Sequence, residues 1–126
     1  MGKRAFTIPK GDWNEETYTR GTRVWLTIKL IAASEPLETI DLHINSIDMG
    51  IDVWSGSLKC MYDFMDHYQR IEDCDINHPV IMDNEGGVIN GWHRIVKAWS
   101  LGKKTIKAKR FETMPIHDRI EEKDEE

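Results

Sequence analysis

A histidine and an arginine stand side by side at the predicted start of a helix, in the string Gly91-Trp92-His93-Arg94. A helix start presents N–H groups without partners in the helix and carries the positive end of the helix dipole. With an imidazole and a guanidinium group added, such a helix start attracts phosphate or carboxylate groups. The residue types therefore predict an anion-binding corner formed by Asn90, Gly91, Trp92, His93 and Arg94.

His93 is the candidate catalytic residue of this corner. The ordinary pKa of histidine, near 6.5, suits a general acid or base. Alternatively, His93 and Arg94 only cap the helix or pair with local acids such as Asp83 and Glu85. Asn90 either fixes the corner or contacts a ligand. The spacing alone fits each of these alternatives.

Three further side chains near the corner have two interpretations each. Trp92 could stack on a nucleobase, because aromatic faces accept any base, or it could belong to the core. Asp83 and Glu85 could hold Mg²⁺ beside bound phosphates, or they could be solvated turn residues. No spacing in the chain predicts a metal site held by protein ligands alone.

The segment around the corner has strong local signals for regular structure. An apolar run precedes a glycine-rich turn, and Gly102 follows the helix pattern at the position where glycine ends helices. The signals predict strand 80–82, a turn at 83–87, strand 88–89, helix 92–101 and strand 105–111. In the last strand, Ile106 and Ala108 are expected to face inward, with Lys107 and Lys109 outward.

Two alternating segments precede this region. Residues 23–33 and 37–44 both alternate apolar and polar side chains, which is typical of half-buried strands. Because Pro36 lies between them in a turn-like segment, they are predicted to form a β-hairpin. Ile47 and Ile51 in the following connector are expected to fill the core.

A helix is predicted at residues 58–70, with Ser57 as its N-cap. Its apolar residues recur at helical spacing, so they are expected to face the core, and His67 is expected to be exposed. They are Leu58, Met61, Phe64, Met65, Tyr68 and Ile71. Cys60 is expected to be buried and Cys74 to be exposed, both as free thiols.

Together the patterns predict an α+β fold, a small mixed β-sheet covered by two main helices with an added N-terminal β-hairpin. The predicted organisation is an arm at 1–22, one domain at 23–115 and a flexible acidic tail at 116–126. In the arm, Phe6, Trp13 and Tyr18 are expected to anchor onto the body. The net charge is −5, and the last nine residues hold six acidic and two basic side chains. The body is therefore nearly neutral, and its charge does not support general DNA binding.

The order of these motifs resembles the ParB N-terminal/sulfiredoxin-like superfamily. The resemblance covers about residues 40–111. It rests on a helix, the strand 80–82, the Gly91-x-His93-Arg94 corner, the helix with Ala98, and a closing Leu101-Gly102 before an isoleucine strand.

The resemblance implies a nucleotide-binding domain in which Gly91, His93 and Arg94 contact phosphates. Members of the superfamily bind CTP or ATP there, so a nucleoside triphosphate, with Mg²⁺, is the implied cofactor. Trp92 stands where sulfiredoxins have cysteine and partition proteins have glutamate, so sulfinic-acid reduction and partition-type CTP sensing are not expected. Too few residues follow position 111 for the helix-turn-helix that reads DNA in partition proteins.

The favoured function is a small ParB-like regulatory protein, phage- or plasmid-encoded, that binds a nucleotide. One alternative is a ParB-like nuclease or phosphotransferase, for which Asp83, Glu85 and His93 are the clustered candidates. The other is an interaction module, an inhibitor or adaptor, that binds a protein partner through the arm or hairpin. Neither a secretion signal nor an apolar run of bilayer length is found, which predicts a cytoplasmic protein without a membrane partner.

Overall fold

A computed structural model describes residues 16–122 of the chain. The elements in chain order are β1 (Thr17–Arg20), β2 (Arg23–Leu26), α1 (Thr27–Ala33), β3 (Ile40–His43), α2 (Met61–Asp73), β4 (Val80–Met82), β5 (Val88–Asn90), α3 (Trp92–Ser100), β6 (Thr105–Arg110) and β7 (Arg119–Ile120). A single turn of 3₁₀-helix, Ile44–Ser46, follows β3. The predicted α+β class is confirmed.

The strands form two sheets. The four-stranded sheet has the order β3-β6-β4-β5 and is mixed, because β4 and β6 are parallel while its other pairs are antiparallel. The three-stranded sheet has the order β1-β2-β7 and is antiparallel. The mixed sheet holds β5, whose last residue leads into the corner.

The core beneath α3 joins that helix to the four-stranded sheet. Ile95 and Ala98 are both 1% exposed and pack on apolar side chains of the sheet. Ile106 and Ala108 face this core as predicted, because alternate residues of a strand point to the same side. The sheet residues in this cluster are Val80, Met82, Val88, Ile106 and Ala108. The core therefore fixes both the strand before the corner and the helix after it.

The N-terminal hairpin is present, but its strands are not those predicted. It is formed by β1 and β2 around Gly21, whose φ of 65° lies in the left-handed region that favours glycine. The predicted strand 23–33 ends at Leu26, and α1 follows. Thr27 and Leu30 are buried at helical spacing, so burial on one helix face overrides the alternating pattern. β3, from the predicted partner strand, pairs with β6 instead.

Helix α2 begins later than predicted, and the face that it buries is not the apolar face predicted from its sequence. Its N-cap is Cys60 rather than Ser57. Four of the six apolar residues expected in the core are exposed, with Met61 at 70% and Phe64 at 52%, and Met65 and Ile71 are only partly buried. His67, expected to be exposed, is buried. The helix is oriented by its polar contacts with α3, described below, and these contacts are not visible in its own periodicity.

Several smaller predictions are also tested. Cys60 is exposed, so its predicted burial is wrong, and Cys74 is only partly exposed. Ile47 is buried as predicted, but Ile51 is 48% exposed. The outward position of Lys107 on β6 is confirmed.

Part of the charged C-terminal segment belongs to the fold. β7 pairs with β2, and the Asp118 carboxylate accepts hydrogen bonds from the Leu26 N–H and Lys29 Nζ, both at 2.8 Å. A flexible tail beginning at residue 116 is therefore not what the structure shows for residues 116–122. Phe6 and Trp13 lie outside the described residues, as does the end of the chain after 122. Within residues 16–122, none of the helices combines the length and the apolar character that spanning a bilayer requires.

Candidate functional site

The corner between β5 and α3 is built around Gly91. Its φ is 120°, a conformation that side chains rarely adopt, and a Cβ there would lie 3.2 Å from the Val80 Cα. Only glycine therefore fits between β4 and the start of α3. The Ile95 N–H donates to the Gly91 carbonyl at 3.0 Å, closing the first turn of the helix. Trp92 and His93 lie in this turn.

Arg94 points away from His93 and holds the corner together. Its guanidinium group donates to the Pro79 carbonyl at 2.7 Å and to the Asn90 side-chain oxygen. Burial lowers the pKa of Arg94. These bonds tie the strand before the corner to the helix after it. Asn90 and Arg94, both predicted to bind an anion, thus lie together as a structural pair in which Arg94 uses at least two of its donors.

His93 forms a pair with His67 of α2. The His67 Nδ1 lies 2.8 Å from the His93 Nε2, so one ring donates to the other. Trp54 stacks on both imidazoles, with centroid distances of 4.4 Å to His67 and 4.8 Å to His93. The three rings lie within 24° of parallel. Such stacking fixes the imidazole planes.

The polar chain extends from the histidine pair to a hydroxyl group. The Ser57 Oγ lies 3.0 Å from the His67 Nε2. Ser57 and Trp54 come from the irregular connector before α2, and the Ser57 N–H donates to the Trp54 carbonyl at 2.9 Å. One turn of the connector thus supplies both the hydroxyl group and the stacked indole ring.

The environment of His93 keeps its imidazole uncharged. Burial, and to a smaller extent the neighbouring His67 and Arg70, lower the pKa of His93 to about 4, while Asp66 acts in the opposite direction. At neutral pH, His93 therefore offers one N–H donor and one nitrogen acceptor. Its ordinary pKa, on which the predicted acid–base role rested, does not apply in the folded chain.

A cavity of about 580 Å³ opens onto this group. The first turn of α3 lines it together with both histidines and Arg70, and Arg70 pairs with Asp66 at 3.2 Å. β1 contributes Tyr18 and neighbouring residues to the lining. The volume lies in the range of small-molecule sites, about 300–1,000 Å³. Arg94 lines a different, smaller cavity.

Asp83 forms a closed cluster at the other end of β5. The carboxylate is 2% exposed and accepts hydrogen bonds from the N–H groups of Glu85 and Gly87, both at 2.8 Å. It also accepts from the Tyr18 hydroxyl and from Arg20, the latter at 3.4 Å. Burial raises the pKa of Asp83, but these bonds outweigh it and hold the pKa below the usual range. Burial and the bond to Asp83 raise the pKa of Tyr18.

The prediction that turn acids are solvated is therefore wrong for Asp83. Its oxygens are used by the protein itself, so they are poorly placed to bind the Mg²⁺ that was considered for Asp83 and Glu85. Among residues 16–122, no group of three or more His, Cys, Asp or Glu side chains is arranged to hold a metal ion.

The basic residues of β6 also have partners in the fold. Lys107 pairs with Asp41 at 2.6 Å, and Lys109 donates to the Glu35 carbonyl at 3.0 Å. Arg110 donates to the Asn84 carbonyl at 2.9 Å. None of these three side chains lines the 580 Å³ cavity.

The sequence indicated one of the three residues of the polar chain and missed the other two. His93 was identified from the helix start, whereas Trp54, Ser57 and His67 were not. The position of Ser57 before an apolar helical pattern indicates an N-cap rather than a site residue, and His67 lies off the apolar stripe of its helix. The available signal was the presence of two histidines on the two predicted helices, which would meet if those helices pack together.

Comparisons with models of protein families, with curated proteins and with solved structures found no match to this chain.

Proposed function

We propose that this chain is a small nucleotide-binding protein whose ligand phosphates lie at the start of α3. The observation that carries the proposal is that the first turn of a nine-residue helix lines the same 580 Å³ cavity as two stacked histidines. N–H groups at a helix start favour anions, and the macrodipole adds to this preference.

The side chains around the helix start suit a phosphate group. Arg70, paired with Asp66, is the one arginine or lysine among the described residues that line the cavity, and Arg94 is bonded within the corner instead. Thr19 and Thr27 line the cavity as well. Imidazole and hydroxyl groups can donate hydrogen bonds to phosphate oxygens without adding net charge.

Aromatic surface beside the helix start suits a nucleobase. Trp54 and Trp92 both line the cavity, and both extend into an adjoining apolar groove of about 390 Å³. Base stacking on an aromatic ring is worth about 1–3 kcal/mol and tolerates every base. We therefore propose CTP or ATP as the ligand, with the phosphates at the helix and the base toward the groove.

The nuclease and phosphotransferase alternative loses its expected carboxylate, because Asp83 is engaged in a closed cluster and is absent from the cavity lining. The interaction-module alternative stays a prediction, since residues 1–15 of the arm lie outside the described residues.

Isothermal titration with CTP, ATP and ADP, with and without Mg²⁺, tests the proposal. Binding of one nucleotide that weakens about tenfold in Arg70→Ala and in His93→Ala would support it, because one charge-assisted hydrogen bond is worth about 1.5–3 kcal/mol. Lys107→Ala is the matched control, since it removes a cation outside the cavity and should bind like the wild type. Absence of binding at millimolar nucleotide, or equal binding by all variants, would contradict the proposal.

A further inference from the structure

The atoms of Ser57, His67 and His93 lie in the order that activates a serine. The hydroxyl oxygen is 3.0 Å from the His67 Nε2, and the His67 Nδ1 is 2.8 Å from the His93 Nε2. In a serine nucleophile, one imidazole nitrogen takes the hydroxyl proton while the other donates to a group that orients the ring. Here a second imidazole occupies the position of the orienting group.

The two imidazoles are held rigidly enough to act as a relay. His67 is 6% exposed, and its ring centroid is 5.1 Å from that of His93, with 19° between the planes. Trp54 covers both rings. Neither ring can rotate without losing a hydrogen bond and the stacking contact. This rigidity is the positioning that catalytic groups require.

The lowered pKa of His93 is compatible with transfer of the hydroxyl proton from Ser57 to His67. Because burial holds the pKa of His93 at about 4, its Nε2 can accept the Nδ1–H of His67 at neutral pH. The His67 Nε2 then carries a lone pair toward the Ser57 hydroxyl. The charged groups around His93 are Asp66 and Arg70 on α2 and Arg94 on α3.

The serine is accessible from the cavity. Ser57 is exposed, and it lines the 580 Å³ cavity together with both histidines. The first turn of α3 lines the same cavity, and its N–H groups have no partner within the helix. Such N–H groups are suitable donors for an oxygen that becomes negatively charged.

We propose that Ser57 is a nucleophile for carboxylic esters, with His67 as its general base and His93 as a positioning residue. The Ser57 Oγ attacks the carbonyl carbon, and its proton passes to the His67 Nε2. The C–O bond to the alcohol breaks, and the alcohol leaves with that proton. Water then attacks the acyl-serine, gives a proton to His67, and releases the acid as the proton returns to the Ser57 Oγ. The net reaction is ester plus water to acid plus alcohol.

A fluorophosphonate probe tests this proposal on the full chain, with the labelled site located by peptide mass spectrometry. We expect one label, on Ser57, and a burst of p-nitrophenol from p-nitrophenyl acetate. Ser57→Ala should lose both signals. Ser55→Ala is the matched control from the same connector and should keep both signals. A folded wild-type chain that is not labelled at Ser57 would overturn the proposal.

Variants of the two histidines distinguish proton transfer from Ser57 to His67 from a purely structural role of these hydrogen bonds. His67→Gln should slow labelling of Ser57 by about 100-fold, within the usual contribution of a general base. His93→Ala should slow it less, and His93→Gln should restore part of the rate, because the glutamine oxygen can accept the His67 Nδ1–H. Equal labelling rates in folded wild type and His67→Gln would also overturn the proposal.

The inference does not depend on nucleotide binding. Labelling of Ser57 without nucleotide affinity would remove the function proposed above and leave the nucleophile. Nucleotide affinity without labelling of Ser57 would overturn the nucleophile and leave the proposed nucleotide-binding function.

Discussion

The two ends of β5 carry polar clusters of opposite kinds. Before the strand, the Asp83 carboxylate is 2% exposed and receives four hydrogen bonds from the protein itself. After it, His93 is hydrogen-bonded to His67 and His67 to Ser57, and the group opens onto a large cavity. The first cluster is complete without a ligand, whereas the second faces space that a ligand can fill.

This difference separates structural polar groups from candidate functional ones. A buried carboxylate that is satisfied by backbone N–H groups fixes a turn, and a ligand would have to displace those bonds. The two hydrogen-bonded imidazoles, by contrast, line a cavity into which a ligand can enter. Asp83 therefore has a structural role. His67, which lies outside the sequence motif around the corner, belongs to the candidate site.

The closed cluster should respond most strongly to mutation. Asp83→Ala leaves two backbone donors, Tyr18 and Arg20 without their acceptor, so we expect a loss of about 3 kcal/mol in the free energy of unfolding. Urea denaturation monitored by tryptophan fluorescence measures it.

Asp48→Ala is the matched control for that change. Asp48 also accepts the N–H two residues ahead, that of Gly50, at 2.8 Å, but it is exposed. Its removal should cost about 0.5 kcal/mol, at the low end for a single hydrogen bond. Similar losses in the two variants would show that Asp83 is not a closed structural centre.

The corner that joins the two clusters should be the next most sensitive point. Gly91→Ala puts a side chain at φ 120° and within 3.0 Å of the Val80 Cγ2, so we expect a loss of about 2–3 kcal/mol. Gly102→Ala, at φ 74° with open space around it, should cost about 1 kcal/mol. Thermal and urea unfolding compare the two, and a smaller loss at Gly91 would contradict the close approach to β4.

The sequence predicted this corner because its signals are local. Turn glycines, short apolar runs and the glycine after α3 all lie within 25 residues of one another, and β4, β5, α3 and β6 form where expected. The orientation of α2 could not be predicted in the same way. It depends on contacts of His67 with Trp54 and His93, which are 13 and 26 residues away along the chain.

Segment 23–33, predicted as one strand, was also wrong because the deciding contacts are distant in sequence. Thr27 and Leu30 fit both an alternating strand and one face of a helix, and the partners that decide between them are distant. Leu30 packs in a cluster with Trp25, Ile81 and Phe111. Candidate site residues on loops, such as Trp54 and Ser57, carry no periodic signal at all.

The open cluster should give the fold a pH dependence. The pKa of His93 falls from about 6.5 in the unfolded chain to about 4 in the fold, so the unfolded state takes up the proton first. The stabilisation of the fold by uncharged His93 is therefore fully present above about pH 6.5 and is lost as the pH falls toward 4. We expect about 1 kcal/mol less stability at about pH 5 than at about pH 7, after discounting the shift for solvent screening.

Urea unfolding of wild type and His93→Gln at several pH values measures this contribution. The variant should lose less stability between neutral and mildly acidic pH. His43→Gln removes an exposed histidine of β3 and should keep the wild-type slope. Identical slopes in wild type and His93→Gln would contradict the lowered pKa of His93 in the fold.

The smallest effect is expected at an ion pair that belongs to neither cluster. Lys107 and Asp41 are 2.6 Å apart, with side chains 48% and 63% exposed. Asp41→Ala should change the free energy of unfolding by less than about 1 kcal/mol, and less in high salt. A larger loss of unfolding free energy that does not depend on salt would contradict the expectation that exposed ion pairs contribute little to the stability of this fold.

The most direct test of the open cluster is a two-dimensional ¹H–¹⁵N NMR titration with ATP and with CTP. We expect the amide signals of Gly91, Trp92 and His93 and the indole signal of Trp54 to shift together and saturate. The amide signals of Glu85 and Gly87, which are bonded to Asp83, should stay in place. No shift at the start of α3, or equal shifts at both ends of β5, would contradict the assignment of the nucleotide site to the histidine cluster.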